Sequence, residues 1–555
     1  MRLLTLPTNE RGYDAPGSEV KRVLTTVVLL LAVSADVAGA ATTRLDQHGT
    51  VLVNGKKVFP IVLAKGPEGS DLDAVVEAGV NFLKVGPAST PWVAADFDDA
   101  LARNREAADR GVYTWVNLAT LADATADTTP VKDQRLRDAI SRLESDWSGT
   151  ALALWKGADE PWWAGFEPAE LQYAYCVATS RGEPSWCGGR PTADEDHLWV
   201  TIQAPRGTAQ DLAPYTPVTD IHGVDDYPVT FGDPDPNLQE VGEWTSRIRL
   251  ITPNDAVWTT LQICASGSSG PGGAFVLPTK VQERYMVYDA IINGARSIAF
   301  YGGNLDRCWN EADAARGWNW TFWDSVLEDL VREINAESSL GPALVNPGTT
   351  QTLQSSDATT QVIIREGTGS SDLWVIAARS GADTTAVTVS GLPERVRQGT
   401  VYTESRTIDV ENGAFTDSFA RWDAHVYHFT VPLPPAPPQP LAPAPPPQPV
   451  QIPTAPRRPI SLRAGRATSL RSARLFTRRM RVLADDGSPV TSGSLNCGAR
   501  VRRAVLRVAR KGWQQGSAYC TWRLRRQKHR VILRGIVRVD SQGVSLTHRF
   551  AARVK

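Results

Sequence analysis

Long apolar runs are scarce in this chain of 555 residues. Residues 23–35 form one, but it is too short to cross a bilayer, and Asp36 ends it. No later segment is long and apolar enough, so no transmembrane span is expected in the mature chain. Metal-ligand spacing is also missing. No Cys-x-x-Cys occurs and the 7 His are scattered, so neither a metal nor another cofactor is expected. No Gly-rich phosphate loop follows the first predicted strand, which argues against an open nucleotide-binding α/β sheet. No nucleic-acid-binding motif is present, and no nucleic-acid partner is expected.

The apolar run at 23–35 has another reading. Lys21 and Arg22 precede it, and Ala38-Gly39-Ala40 follows as a small-x-small cleavage site. Together they read as a secretory signal within residues 1–40. The polar stretch before Val20 is foreign to such a signal and suggests that Val20 is the true start. The 6 Cys fit export: Cys176 with Cys187, Cys264 with Cys308 and Cys497 with Cys520 are expected to form three disulfides. The localisation expected is extracellular, with possible retention at the cell envelope.

The net charge of -1 hides an asymmetry. Residues 461–555 carry roughly 23 Lys/Arg against 3 Asp/Glu, which leaves the remainder acidic by about 21 charges. The basic segment is rich in Arg, as a GC-rich genome also favours. It reads as a small β domain at 460–555, either a merely solvated charged face or a mooring for an anionic cell-envelope polymer. A proline-rich spacer at 432–459 precedes it.

Upstream, eight short β-rich runs alternate with amphipathic helical stretches. They lie at 58–63, 80–85, 113–118, 151–155, 198–202, 221–224, 257–263 and 297–301. Alternation of this kind predicts an α/β fold, a (β/α)8 TIM barrel over 41–337. Short alternating strands at 338–431 then predict an antiparallel β-sandwich.

In such a barrel the chemistry sits at the C-terminal strand ends. The strand at 151–155 runs into Gly157-Ala158-Asp159-Glu160-Pro161-Trp162-Trp163. A carboxyl group beside aromatic rings has a raised pKa, and the rings can stack on sugar faces. The alternative is that Asp159 or Glu160 merely caps the next helix. Other strand ends supply Lys65, Lys84, Asn117, Gln203, Asp225, Asp226, Gln262, Tyr301 and Asn304, with Tyr227 and several tryptophans in the following loops. Amides and carboxylates walled by aromatics suit a carbohydrate partner. Because strand neighbours point to opposite faces, only one of Asp225 and Asp226 is expected to face the pocket, and Asp226 is the one favoured.

Residues 41–431 resemble the (β/α)8 glycoside hydrolases of the large retaining clan, with their C-terminal β-sandwich. The stretch 51–60 looks like the hairpin that opens those barrels. Asp159-Glu160-Pro161 is similar to their Asn-Glu-Pro pattern at the fourth strand, and Gly223-Val224-Asp225-Asp226-Tyr227-Pro228 resembles a further strand-end pattern. The resemblance implies that Glu160 is the general acid/base of a glycosidase. It also implies a nucleophilic Glu at the end of the seventh strand, where Gln262 stands instead. The second carboxylate would then be Asp226 or Asp225, or Asp306 or Glu311 after the eighth strand. Otherwise catalysis is lost and the barrel only binds glycans. The hydroxyl-orienting set would be Asp159, Asn117, Gln203, Gln262, Tyr227, Tyr301 and Asn304, with Trp162 and Trp163 stacking on rings.

Overall fold

The computed structural model describes residues 41–432 and 459–554, apart from 88–91, 123–128, 147–150, 180–186, 188–191, 265–275, 347–350, 471–474, 485–492, 502–503, 515–516, 524–530 and 542–543. The signal sequence and start expected within 1–40, and all but the margins of the spacer expected at 432–459, lie outside the described residues. Internal contacts divide the chain into two units, Met1–Pro435 and Ala436–Lys555.

The first unit opens with a small antiparallel sheet, β1 (Thr43–Leu45), β2 (Val51–Val53) and β3 (Lys56–Val58). Asn54 and Gly55, both at positive φ, turn the chain between β2 and β3. Eight strands then close into a parallel barrel: β4 (Ile61–Leu63), β5 (Phe82–Val85), β6 (Tyr113–Asn117), β7 (Leu152–Asp159), β8 (Leu198–Gln203), β9 (Ile221–Asp225), β10 (Ala256–Gln262) and β11 (Ser297–Tyr301). Helices such as Asp71–Ala78, Ala94–Asp109, Thr129–Asp146, Glu240–Ile251 and Lys280–Ile292 pack outside it. This is a TIM barrel. Its strands are apolar on both faces because one face fills the barrel and the other meets the helices. Val62, Phe82, Trp115, Leu154, Val200, Ile221, Trp258 and Ala299 fill the interior, and the Trp115 and Trp258 rings stack at 5.6 Å across it.

The barrel is followed by a β-sandwich of a five-stranded and a three-stranded antiparallel sheet around Val375, Val387, Phe415, Tyr427 and Phe429. The sandwich shares a core with the barrel, in which Trp374, Ile376 and Val426 join Tyr285, Met286 and Trp323. Arg284 spans the join, paired with Glu333 at 2.7 Å and donating to the Ala424 carbonyl.

The second unit is a pair of four-stranded antiparallel sheets, tied by the Cys497–Cys520 disulfide. On the outer face of one sheet Arg500 stands directly opposite Arg534, and Arg549 opposite Ile536. Ile532 and Ile536 are exposed beside them. Like charges directly across a ladder oppose folding, so this face is not optimised for stability alone.

Candidate functional site

Two departures from regular strand geometry build the pocket. Along β7, Lys156 pairs with Val200 and Asp159 with Ile202, so β7 has one residue more than β8 there, a bulge. Glu160 follows in the left-handed region at φ 47° and ψ 45°. Strict alternation would place Lys156 and Asp159 on opposite faces. With the bulge and the left-handed residue, Lys156, Asp159 and Glu160 all reach one cavity of about 210 Å³ at the C-terminal end of the barrel. Glu160 occupies the N-cap position of the helix Pro161–Ala164 yet makes no capping bond, which leaves its carboxyl to the pocket. Gly157 is required by packing, because a Cβ there would lie 2.3 Å from the Trp199 indole.

The sixth barrel strand supplies the second carboxyl. Val224 packs outward with Leu212, Ile248 and Val257, so its neighbours Gly223 and Asp225 face inward. Asp225 and Tyr227 therefore line the cavity, and the Tyr227 hydroxyl donates to Asp225 at 3.0 Å. The Glu160 and Asp225 carboxyl groups line the same cavity, and the charge of Glu160 acts on Asp225. Two carboxyl groups facing one cavity cannot both ionise freely, so the pair holds a proton toward neutral pH. Burial, then the charges of Glu160 and Asp159, push Asp225 up to about 8. Burial and Asp159 also raise Glu160.

Asp159 behaves oppositely. Burial opposes its charge, but Lys156 and then Lys84 more than compensate and hold it below the usual carboxylate range. The Lys156 ammonium meets it at 2.6 Å and is itself almost wholly buried. Thr260 of the seventh barrel strand and Tyr301 of the eighth complete the wall, and Trp115 lies at the floor. The Tyr227 and Tyr301 rings stack at 5.6 Å.

The structure corrects several expectations. Asp226, the favoured second carboxylate, does not line the cavity. It is buried on the helix-facing side with Oδ2 unpartnered, where burial and then Glu240 and Asp225 raise its pKa well above the usual value. Gln262 is fully buried and spends its amide on the Val229 backbone, accepting at 2.9 Å and donating at 3.0 Å. Asn117 donates to the Pro87 carbonyl at 2.5 Å. Gln203 points away from the barrel and accepts from the Trp162 backbone at 3.2 Å. Trp162 packs half-buried against Gly207, and Trp163 is 57% exposed with Arg206 over its ring. Asn304 does not line the cavity. Trp318 and Trp320 are buried core residues rather than rim walls. Of the aromatic set, Tyr227 and Tyr301 reach the pocket.

Lys156 and Trp115 were missed as candidates. A lysine directly after the apolar run Ala151-Leu152-Ala153-Leu154-Trp155 and before Gly157-Ala158 is the available signal, since a charge in a buried strand needs a partner. Away from this cavity, Glu144, Asp194 and His197 bring ligand atoms within 4.8 Å of one another. Asp194 there already accepts from His197, Trp155 and the Asp196 backbone.

No family model matches the sequence, and no curated protein matches it. Among solved structures, the chain is similar to a protein described as a glycoside hydrolase, at 12% identity and TM-score 0.47 over 70% of this chain and 96% of that one. It is similar to a GH30 endoxylanase from Clostridium papyrosolvens C71, at 11% identity and TM-score 0.40 over 70% and 98%. A third is an α-amylase from Geobacillus thermoleovorans complexed with acarbose, at 10% identity and TM-score 0.43 over 67% and 99%. The chain itself, by its own strand pairing, is a closed parallel (β/α)8 barrel followed by a β-sandwich.

Proposed function

We propose that this protein is an extracellular glycoside hydrolase acting on an oligo- or polysaccharide. The observation that carries the reading is the Glu160–Asp225 pair, set on the fourth and sixth barrel strands over a cavity walled by Tyr227 and Tyr301. Glycoside cleavage needs one carboxyl group that carries a proton and one that is charged, and a pair whose members oppose each other's ionisation supplies both.

Glu160 is assigned the acid/base role and Asp225 that of nucleophile or base for a water. Carboxyl groups on the fourth and sixth barrel strands can serve at either the about 5–5.5 Å separation of retaining or the about 6.5–9.5 Å of inverting enzymes. Protonated Glu160 gives its proton to the leaving oxygen, while the Asp225 anion keeps the Tyr227 hydroxyl as donor. Asp159, held charged by Lys156, orients hydroxyl groups. The cavity is smaller than the about 300–1,000 Å³ that engulfs a drug-sized ligand, which suits one sugar ring at the cleavage point.

Export is supported by the disulfides Cys176–Cys187, Cys264–Cys308 and Cys497–Cys520 together with the signal-like N-terminal sequence. The Arg500, Arg534 and Arg549 face of the second unit is proposed to hold the enzyme at an anionic envelope polymer. Such binding would weaken steeply with salt.

The test is reducing-sugar release from a broad panel of polysaccharides and aryl glycosides, wild type beside Glu160→Gln. Release by the wild type that is lost in the variant supports a glycosidase. No release from any substrate, with glycans still bound on an array, would replace this reading with a non-catalytic glycan-binding barrel.

A further inference from the structure

Among the described residues, Lys84 is a charge at the pocket with no bonded partner. It lies near the end of the second barrel strand and lines the cavity. Phe82, two residues earlier, faces the barrel interior, and strand alternation puts Lys84 on the same side, one layer higher. Among the described residues it makes neither a hydrogen bond nor an ion pair, whereas Lys156 is occupied by Asp159 at 2.6 Å. An ammonium at the wall of a barrel cavity loses hydration and gains no bonded counter-ion in return, an arrangement that costs stability unless something else fills the place.

The surrounding charges sharpen the point. Asp159 and Asp225 are near enough to favour the charged form of Lys84, while Lys156 and Lys65 oppose it. Asp159 is already neutralised by Lys156, and Glu160 opposes the charge of Asp225. Lys84 therefore keeps its charge without a bonded counter-ion although three carboxyl groups line the same cavity. Burial, then Lys156, lower Lys84 to about 8, which leaves it mostly protonated at neutral pH. An arriving anion would relieve both effects.

We infer that Lys84 is a specificity determinant that receives the carboxylate of an acidic sugar, so that the substrate class is a uronic-acid-bearing glycan. The inference rests on the glycosidase reading above and narrows it. A neutral sugar offers the Lys84 ammonium hydroxyl acceptors but no counter-charge. A uronate carboxylate gives the ammonium a charge-assisted hydrogen bond, and the ring remains between Glu160, Asp225 and the tyrosine wall.

The experiment uses oligomers of galacturonic acid and of glucuronic acid, each beside its carboxyl-reduced neutral form. Binding is measured by calorimetry to the full chain carrying Glu160→Gln, and cleavage by the wild type. An acidic form is expected to bind at least about tenfold tighter than its reduced form, a difference of about 1.4 kcal/mol. Adding Lys84→Met should erase that preference, and Lys84→Arg should keep most of it. The Arg variant guards against a fold defect in the Met variant. Equal binding of acidic and reduced forms, a preference that survives Lys84→Met, or no binding of either overturns the inference. Neutral glycans cut by the wild type with no Lys84 dependence would overturn it while leaving the glycosidase standing. A Lys84-dependent preference for uronates without any cleavage would support the anion site and sink the glycosidase.

Discussion

Asp225 and Asp226 are adjacent in sequence, and the barrel gives them opposite fates. Alternation correctly required that one face inward, but it does not by itself say which. The deciding residue is Val224, whose packing among Leu212, Ile248 and Val257 fixes the outward parity. The side chain of Glu160, by contrast, was legible as a pocket carboxyl from its place past a strand and before Pro161. The coupling of the pair leads to a titration prediction. Glu160→Gln removes the second-largest cause of the raised Asp225 pKa, so Asp225 should titrate clearly below about 8, as read by carbon NMR of the labelled carboxyl group. An unchanged titration would mean that burial alone sets it. Lys156 makes a separate prediction. Lys156→Met leaves the Asp159 charge without its ion-pair partner, and because the Asp159 side chain is 54% exposed the expected loss is about 1 kcal/mol or less. Asp159 sits below its ordinary value, so its contribution is present above that value and lost as pH falls through the native pKa. The variant should thus be destabilised at pH 7 and lose most of that difference near pH 3, as chemical denaturation would show.

At the scale of elements, the eight barrel strands were readable because their apolar runs alternate with helical stretches. The bulge in β7 was not, because bulges follow from register against a neighbouring strand rather than from local composition. It is the reason Lys156, Asp159 and Glu160 converge. The left-handed Glu160 carries a cost of roughly 1–2 kcal/mol that glycine would not incur. Glu160→Gly should therefore melt higher than Glu160→Ala, both being inactive. The reverse order in calorimetry would show that the segment relaxes once the carboxyl is gone. The tryptophans misled for a related reason. Trp318 follows the last barrel strand like a rim residue, but its indole donates to the Lys65 carbonyl at 2.8 Å and packs against Gly303 as core.

Across the whole molecule, several carboxyl groups besides the pocket pair are buried with raised pKa values. Burial pushes Asp289 up to about 8, and Glu283 and Asp226 well above their ordinary values. Each keeps its proton in the folded state at pH values where the unfolded chain has lost it. The folded state then binds more protons between about pH 4 and 8, so these groups lose stabilising effect as pH rises through that window. Melting temperature should accordingly be higher at pH 5 than at pH 8, and a calorimetric scan in the opposite order would contradict the burial assigned to them. The Cys264–Cys308 disulfide, which bridges a sequence separation of 44, adds a constraint of about 4 kcal/mol in the chain-entropy view. The order of barrel, sandwich and basic unit was legible from changes in periodicity and charge. How the sandwich shares a core with the barrel was not, since Trp374 and Ile376 read from sequence as ordinary strand residues.

The central claim is that Glu160 and Asp225 together act on a glycosidic bond. It is tested most directly by comparing cleavage rates of Glu160→Gln, Asp225→Asn and Asp226→Asn on one hydrolysed substrate. The account predicts that the first two fall by about 10²–10⁴-fold or more, while Asp226→Asn, whose side chain does not line the cavity, keeps near wild-type activity. Activity lost in Asp226→Asn and kept in Asp225→Asn would contradict it.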